Sequence, residues 1–390
     1  MHYIFRTFNV GAGDCITLLL QNGDEELHIM VDCGSYTTEV NDYIVQTFKK
    51  RIDYLLITHI DNDHINGIIA MLSAMPELEL GHILYNCYQR TSEHLEEWDD
   101  KMKANVKRLY GHLPEVIDMV ECKINAEASR TLAEIILNNE SWKAAWRREY
   151  VTSDTSPIDL GGGMGRIVFL SPNKAALENL DEQYRKLFWQ KLYKGKSSDY
   201  NNEETIYEAL MRVVSEEPDE TREELVSATS LDRNSLMRYV DEIVSEMSDS
   251  NMASIAFVWE QGNHGILFLG DASPKIVANE INEKYIDRPK PIMFDLIKVS
   301  HHGSAHSTSR NLINVADSEH FFVTGGSKLR PSIQTLARIV TAKLPDGITH
   351  REIRYNRKNN IIESLDRASE LKEEFCFSIV ANGNEYELFY

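Results

Sequence analysis

The stretch Thr58-His59-Ile60-Asp61-Asn62-Asp63-His64-Ile65-Asn66-Gly67 follows the apolar run Ile52–Thr58 and breaks it with two histidines and two aspartates. Polar clusters matter most where apolar strands end, because loops at a sheet edge present side chains that the sheet holds rigid. Alternation along this loop puts positions 59 and 61 on one side and lets 63 and 64 turn toward another. One short segment can therefore serve two neighbouring cations. Two further strand ends carry residues of the same chemistry. Phe268-Leu269-Gly270-Asp271-Ala272 ends in a carboxylate whose two oxygens can bridge two ions, and His301-His302-Gly303-Ser304 follows the run Leu296–Val299.

Around these three loops the chain reads as α/β. Short strand-like runs (Tyr3–Phe8, Cys15–Leu20, Leu27–Val31, Arg166–Leu170, Ser254–Glu260, Gly265–Gly270, Phe294–Val299, Phe375–Ala381, Glu385–Tyr390) alternate with helix-like segments such as 37–50 and Ser332–Lys343. With 61 acidic and 41 basic side chains the formal charge is −20, which argues against coating nucleic acid by bulk charge but not against engaging it at one local cleft. No run approaches the ~20 apolar residues of a membrane span. The N-terminus lacks the basic and apolar pattern of a secretory signal, and five scattered cysteines without metal-type pairing suit a reducing cytoplasm. A cytoplasmic protein without membrane association is expected.

The ordered pieces Phe8-Asn9-Val10-Gly11-Ala12-Gly13-Asp14, Asp32-Cys33-Gly34, Thr58 to Gly67, Leu170-Ser171-Pro172, Gly270-Asp271-Ala272 and Lys298-Val299-Ser300-His301-His302-Gly303-Ser304 resemble the metallo-β-lactamase-fold hydrolases. The subgroup most resembled is the soluble hydrolase domain of ComEC-type competence proteins, in which aspartate replaces the usual second histidine, as Asp61 does here. Asn251 lies where other members carry the histidine of a Gly-His-Thr-type turn. The resemblance implies an αββα four-layer sandwich holding two divalent metal ions. It places His59 and Asp61 on one ion, Asp63, His64 and His301 on the other, and Asp271 between them. The residues alone do not choose between His301 and His302 as the ligand. Asp63 and His302 are the candidate catalytic residues, His302 as proton donor to a leaving group. The carboxylate at 61 makes the ligand set richer in oxygen, which favours Mn²⁺ beside the Zn²⁺ usual for the fold. DNA uptake is not implied, since the membrane channel of the full uptake protein has no counterpart in this sequence.

The whole chain, residues 1–390, reads as one such domain with two helical insertions, at 92–150 and 173–249. Within the second, 224–240 has the spacing of a helix-turn-helix with Leu236 and Tyr239 facing inward, but Arg233 and Arg238 are opposed by Asp232, Asp241 and Glu242. A partner-binding or lid element therefore fits it better than a DNA reader. Trp146-Arg147-Arg148 and Arg351–Lys358 each set an aromatic ring beside basic residues, a pattern that can hold a nucleic-acid strand or simply form a solvated face. Ser304, Ser307, Thr308 and Ser309 offer hydroxyls either to phosphate oxygens or to helix capping. The leading function is a metal-dependent phosphodiesterase or nuclease acting on nucleic acid or another phosphodiester. The alternatives are an acyl hydrolase of lactones, thioesters or esters at the same site, and a partner-controlled effector subunit docked through the helical insertions.

Overall fold

Side chains alternate strictly along the apolar runs, and both faces of the central strands are buried. In β2 (Cys15–Asn22), Ile16, Leu18 and Leu20 enter one core while Cys15 and Leu19 enter another. In β8 (Ala256–Gln261), Phe257 and Trp259 share that first core, and Ala256 and Val258 enter a third. Strands buried on both faces need a covering layer on each side. The computed structural model, which describes residues 1–87, 131–147, 149–182, 208, 231–241, 247–327 and 329–390, supplies those layers.

The first sheet contains β1 (His2–Thr7), β2, β3 (Glu25–Cys33), β4 (Arg51–Ile57) and β5 (Glu79–Tyr85), with the final strand β16 (Glu385–Phe389) beside β1. The second contains β6 (Ile158–Asp159), β7 (Arg166–Ser171), β8, β9 (His264–Phe268), β11 (Leu296–Lys298), β13 (His320–Val323), β14 (Arg351–Tyr355) and β15 (Phe377–Ala381), in the order β15-β14-β13-β11-β9-β8-β7-β6. Each sheet is antiparallel on one side and parallel on the other: β3, β4 and β5 run parallel in the first, and β9, β11, β13, β14 and β15 in the second. The sheets face one another through an aromatic-rich core, in which Phe5 meets Phe322 and Tyr3 meets Trp259 edge-on, with centroids 4.8 and 5.1 Å apart. Helices Thr38–Gln46, Asn62–Ala74, Leu132–Leu137 and Glu140–Ala145 cover the outside of the first sheet. Arg233–Val240, Pro274–Lys284, Arg310–Val315, Ile333–Val340 and Asn360–Arg367 cover the second. This is the αββα arrangement that the sequence resemblance implies.

Several local expectations change. The run Phe294–Val299 is two strands, because Asp295 interrupts it to accept hydrogen bonds from Tyr3 Oη (3.0 Å) and Gly265 N (3.1 Å). The preceding piece, β10 (Ile292–Phe294), pairs instead with β12 (Ala316–Ser318) in a separate ribbon. Arg351–Lys358 does not set its ring on a basic face: Arg351 is fully buried in β14, ion-paired to Asp317, and Tyr355 packs into the core, leaving Arg354, Arg357 and Lys358 toward solvent. Trp146 is likewise buried, its indole N–H donating to Tyr85 O at 3.2 Å. Neither aromatic ring is available for stacking on a base.

Residues 92–130, 183–207 and the start of the helix-turn-helix-like segment, 224–230, lie outside the described residues. The described parts of both helical stretches pack into the covering layers. Leu236 is buried in the outer core of the second sheet with Tyr239 against it, and Arg338 Nε donates to Val240 O at 3.2 Å. Glu208 is buried and accepts from Leu132 N (2.6 Å) and Ala133 N (2.7 Å), satisfying the N-terminus of the Leu132–Leu137 helix.

Two stability measurements follow from this packing. Leu236→Ala should cost about 2–5 kcal/mol in urea unfolding; a change within error would mean that the Arg233–Val240 helix is not part of the core. Asp317→Ala, which leaves the buried Arg351 guanidinium without its carboxylate, should cost about 3–5 kcal/mol.

Candidate metal centre

Parallel strands place their C-terminal ends along one edge, and the polar loops meet there. The end of β3 supplies Asp32, the end of β4 supplies Thr58 and His59, and the loop after β9 supplies Asp271. The turn after β11 supplies His301 and His302, and Thr324 follows β13. Asp63 and His64 stand in the first turn of the Asn62–Ala74 helix. The segment Gly13-Asp14 lies against that turn so closely that Asp14 N donates to Asp63 O at 3.2 Å. A Cβ on Gly13 would sit 1.7 Å from that same oxygen, so only glycine permits the contact.

Six candidate ligands converge. Oδ2 of Asp271 lies 3.5 Å from His64 Nε2, 3.5 Å from His301 Nε2 and 3.7 Å from His59 Nε2. His59 Nε2 is 3.5 Å from Asp61 Oδ2, and His64 Nε2 is 3.9 Å from Asp63 Oδ1. The ring beside Asp63 on the far side is His302, its Nε2 3.2 Å from Asp63 Oδ2. Among the described residues, donor atoms of His59, His64 and Asp271 fall within 4.8 Å of one another, as do those of Asp63, His64 and His302. His301 therefore faces Asp271, while His302 faces Asp63. Consecutive left-handed residues bring this about: His301 and His302 have φ of 48° and 51°. That backbone costs a non-glycine residue about 1–2 kcal/mol.

Neighbours of the ligands fix which ring nitrogen faces the cleft. Asp32 accepts from His64 Nδ1 (2.8 Å), Thr58 N (2.8 Å) and Thr58 Oγ1 (2.6 Å). Since Thr58 Oγ1 donates to Asp32, it can accept from His59 Nδ1 at 3.0 Å. Both rings thus present the lone pair of Nε2 inward. Ser250 Oγ donates to Asp61 Oδ1 (2.7 Å), and Ser254 Oγ accepts from Asp271 N (3.0 Å). His302 Nδ1 donates to Thr324 O (2.9 Å), with Asp14 Oδ1 at 3.3 Å. Asp14 itself is buried and paired with Lys298 and Thr324. Asp14, Asp32, Lys298, Thr324, Ser250 and Ser254 are the supporting residues that sequence reading did not select as site residues. Asp14 and Asp32 stood inside the quoted motifs, and a carboxylate at a strand end was the available signal.

Among the buried polar atoms without a hydrogen-bond partner in the described residues are three of the candidate ligands' own: His59 Nε2, His64 Nε2 and Asp271 Oδ1. Orphaned acceptors that point at one another call for a cation, so this donor set fits a divalent metal centre. The electrostatics agree. Burial disfavours a charged imidazole at His59 and His64, yet the Asp61 and Asp271 carboxylates hold His59 above its ordinary value, and Asp271, Asp63 and Asp32 hold His64 well above it. Burial would raise Asp271 and Asp63, but the surrounding histidines keep both well below the usual carboxylate range. A cluster that draws protons onto its histidines is one with positive charge to be supplied.

Two of the hydroxyls after the turn serve the fold. Ser307 Oγ donates to Ser300 O and Ser304 O (2.8 Å each), and Ser309 caps the Arg310–Val315 helix by accepting from Leu312 N at 3.1 Å. Ser304 and Thr308 are buried too, but their hydroxyl oxygens have no hydrogen-bond partner among the described residues, so the local reading is supported for Ser307 and Ser309.

Residues 10–112 match the family model of the metallo-beta-lactamase superfamily. No curated protein matches the chain. Among solved structures, the chain is similar to YhfI, a metallo-β-lactamase-fold protein from Bacillus subtilis (10% identity, TM-score 0.39, 100% of each chain covered). It is also similar to Zn²⁺-bound PqqB from Methylobacterium extorquens (8%, 0.37, 100% of each) and to a diphosphatase of the PhnP family (9%, 0.35, 100% of this chain and 98% of that one). These three likenesses are remote and say nothing of substrate. The family model describes the superfamily at large and does not single out the ComEC-type subgroup. Among the described residues no helix is long and apolar enough to cross a membrane.

Because Asp32 orients His64 without facing the cleft, Asp32→Ala should lower divalent-metal affinity about 10–100-fold. Competition with a chromogenic chelator measures this, and an unchanged affinity would remove Asp32 from the support of the site.

Proposed function

We propose that this chain, which carries a metallo-β-lactamase superfamily domain, is a metal-dependent hydrolase of phosphodiesters, of the phosphodiesterase or nuclease class. The observation that carries the reading is the convergence of the orphaned His59 Nε2, His64 Nε2 and Asp271 Oδ1 on one buried, carboxylate-rich cleft. His59 and Asp61 would hold one divalent ion, Asp63 and His64 the other, with Asp271 between them and His301 facing Asp271. Bound there, Zn²⁺ or Mn²⁺ would acidify water and neutralise charge that develops at the scissile bond. The resemblance of the motifs to the hydrolase domain of ComEC-type proteins supports a nucleic-acid substrate, and the oxygen-rich donor set supports phosphoryl over acyl chemistry.

The protein's own groups divide the remaining work. Asp61 and Asp63 flank the cleft at the start of one helix, whose N-terminal dipole favours anionic groups there. His302 donates from Nδ1 to Thr324 O, and its Nε2 faces Asp63, an arrangement that suits a doubly protonated ring. Burial opposes that charge, but Asp14 and Asp63 raise its pKa to about 9. A proton held at Nε2 by these carboxylates would be placed to pass to a departing alkoxide. A partner-controlled protein remains compatible with the helical stretches, whose described parts belong to the core.

Purified protein should carry close to two divalent ions per chain. It should cleave DNA or RNA with Mn²⁺ while leaving a panel of chromogenic esters intact; ester cleavage alone would move the reading to acyl hydrolysis. Asp63→Ala and Asp271→Ala should both abolish cleavage and leave the fold intact by circular dichroism, with Asp271→Ala losing more metal. Asp61→His should retain metal but shift preference from Mn²⁺ toward Zn²⁺, since imidazole suits zinc better than a carboxylate does. An unchanged preference would take Asp61 out of the ligand set.

A further inference from the structure

A third loop, between β13 and the Ile333–Val340 helix, brings Arg330 to the cluster, with Nη1 2.6 Å from His301 Nε2. A guanidinium has donors only, so the imidazole nitrogen must accept and the ring is neutral. The same Nε2 lies 3.5 Å from Asp271 Oδ2 and is the atom His301 can offer to an ion. It has one lone pair, so a bond to Arg330 and a bond to a metal exclude each other.

The loop is anchored independently of that contact. Asn359 Nδ2 donates to Arg330 O at 3.0 Å, Arg357 bonds Gly326 O, and Pro331 packs so tightly on Gly303 that a Cβ there would lie 2.5 Å from it. Turning the Arg330 side chain away from His301 therefore leaves its base at the rim of the cleft. The need for a cation there is plain. The chain carries a net charge of −20, the cleft is lined by carboxylates, and Lys298 is buried and engaged by Asp14. An anionic substrate would otherwise meet repulsion until it reached the centre. Arginine's planar fork matches two phosphoryl oxygens, which an ammonium cannot do.

We infer that Arg330 grips a phosphoryl oxygen of the substrate, and that His301 holds its guanidinium until an ion takes the imidazole's lone pair. This rests on the metal-dependent phosphoester reading above and narrows the substrate to one presenting a phosphate anion, whether a small phosphoester or a nucleic-acid backbone. The experiment is calorimetric titration of inorganic phosphate, and separately of a short oligothymidylate, into Mn²⁺-loaded wild type, Arg330→Gln and Arg330→Lys, beside a Mn²⁺ titration of each apoprotein. Arg330→Gln should weaken phosphate binding about tenfold or more, as loss of a charge-assisted bond does. Arg330→Lys should retain part of the affinity, and Mn²⁺ affinity in Arg330→Gln should equal or exceed that of wild type, because a competitor for His301 has been removed. Parallel weakening of the oligothymidylate supports a nucleic-acid source of the phosphate; weakening confined to inorganic phosphate supports a small phosphoester. Phosphate affinity in Arg330→Gln within twofold of wild type, with Mn²⁺ bound to both, overturns the inference alone, and so does loss of Mn²⁺ by Arg330→Gln. If wild type binds neither Mn²⁺ nor Zn²⁺, the function proposed above fails and this inference falls with it.

Discussion

A single buried carboxylate, Asp14, joins the two halves of this molecule at the place where they must agree. It sits in the loop between β1 and β2 of the first sheet, yet its partners Lys298, Thr324 and His302 all belong to the second. Burial alone would raise its pKa, but Lys298 and His302 hold it well below the usual carboxylate range, so it is anionic there. Two charges removed from water are costly unless well matched, and losing one partner leaves the other stranded. The interaction therefore specifies one relative placement of the sheets more than it adds to stability. Any other placement would leave Lys298 or Asp14 buried alone, and would carry His302 away from Asp63.

The site is built as a set of such exclusions. Gly13 and Gly34 let two loops close on the backbone of Asp63, since a Cβ on either would overlap its carbonyl oxygen. Asp32 takes the Nδ1 proton of His64, which leaves only Nε2 to face Asp271. The left-handed turn at His301 and His302 sends two adjacent rings to different carboxylates. None of these features is apolar, so the hydrophobic cores can be complete without them. The four layers provide rigidity, and the loops at one edge use it to keep like-charged groups together. Removing a ligand should accordingly affect chemistry far more than folding.

The acidic character of the chain and of its cleft belong to one account. Carboxylates gathered at the strand ends attract cations and hold histidine protons, but they repel the anionic substrates that a phosphodiesterase needs. Under the proposed activity, positive charge would come from bound ions and from basic groups at the rim, where Arg330 already contacts the candidate ligand His301.

Much of this was legible in sequence because its signals are local. Short apolar runs located most strands of both sheets, though not β5, β6, β13 or β14, and the cluster from His59 to His64, Asp271 and the pair His301-His302 marked the strand ends that meet. The errors came where meaning depended on distant partners. Arg351 looks like a surface charge until Asp317, more than thirty residues away, is brought against it in the interior. Trp146 and Tyr355 look like stacking platforms until neighbouring layers cover them. The reading of Leu236 as inward-facing, by contrast, agrees with its place in the outer core of the second sheet. By itself, the sequence determined which residues have ligand chemistry and that they stand at strand ends. Only the tertiary structure decided which histidine faces which carboxylate, that Asp14 and Asp32 orient them, and that Arg330 reaches His301, because those contacts join loops far apart in the chain and have no signature in local spacing.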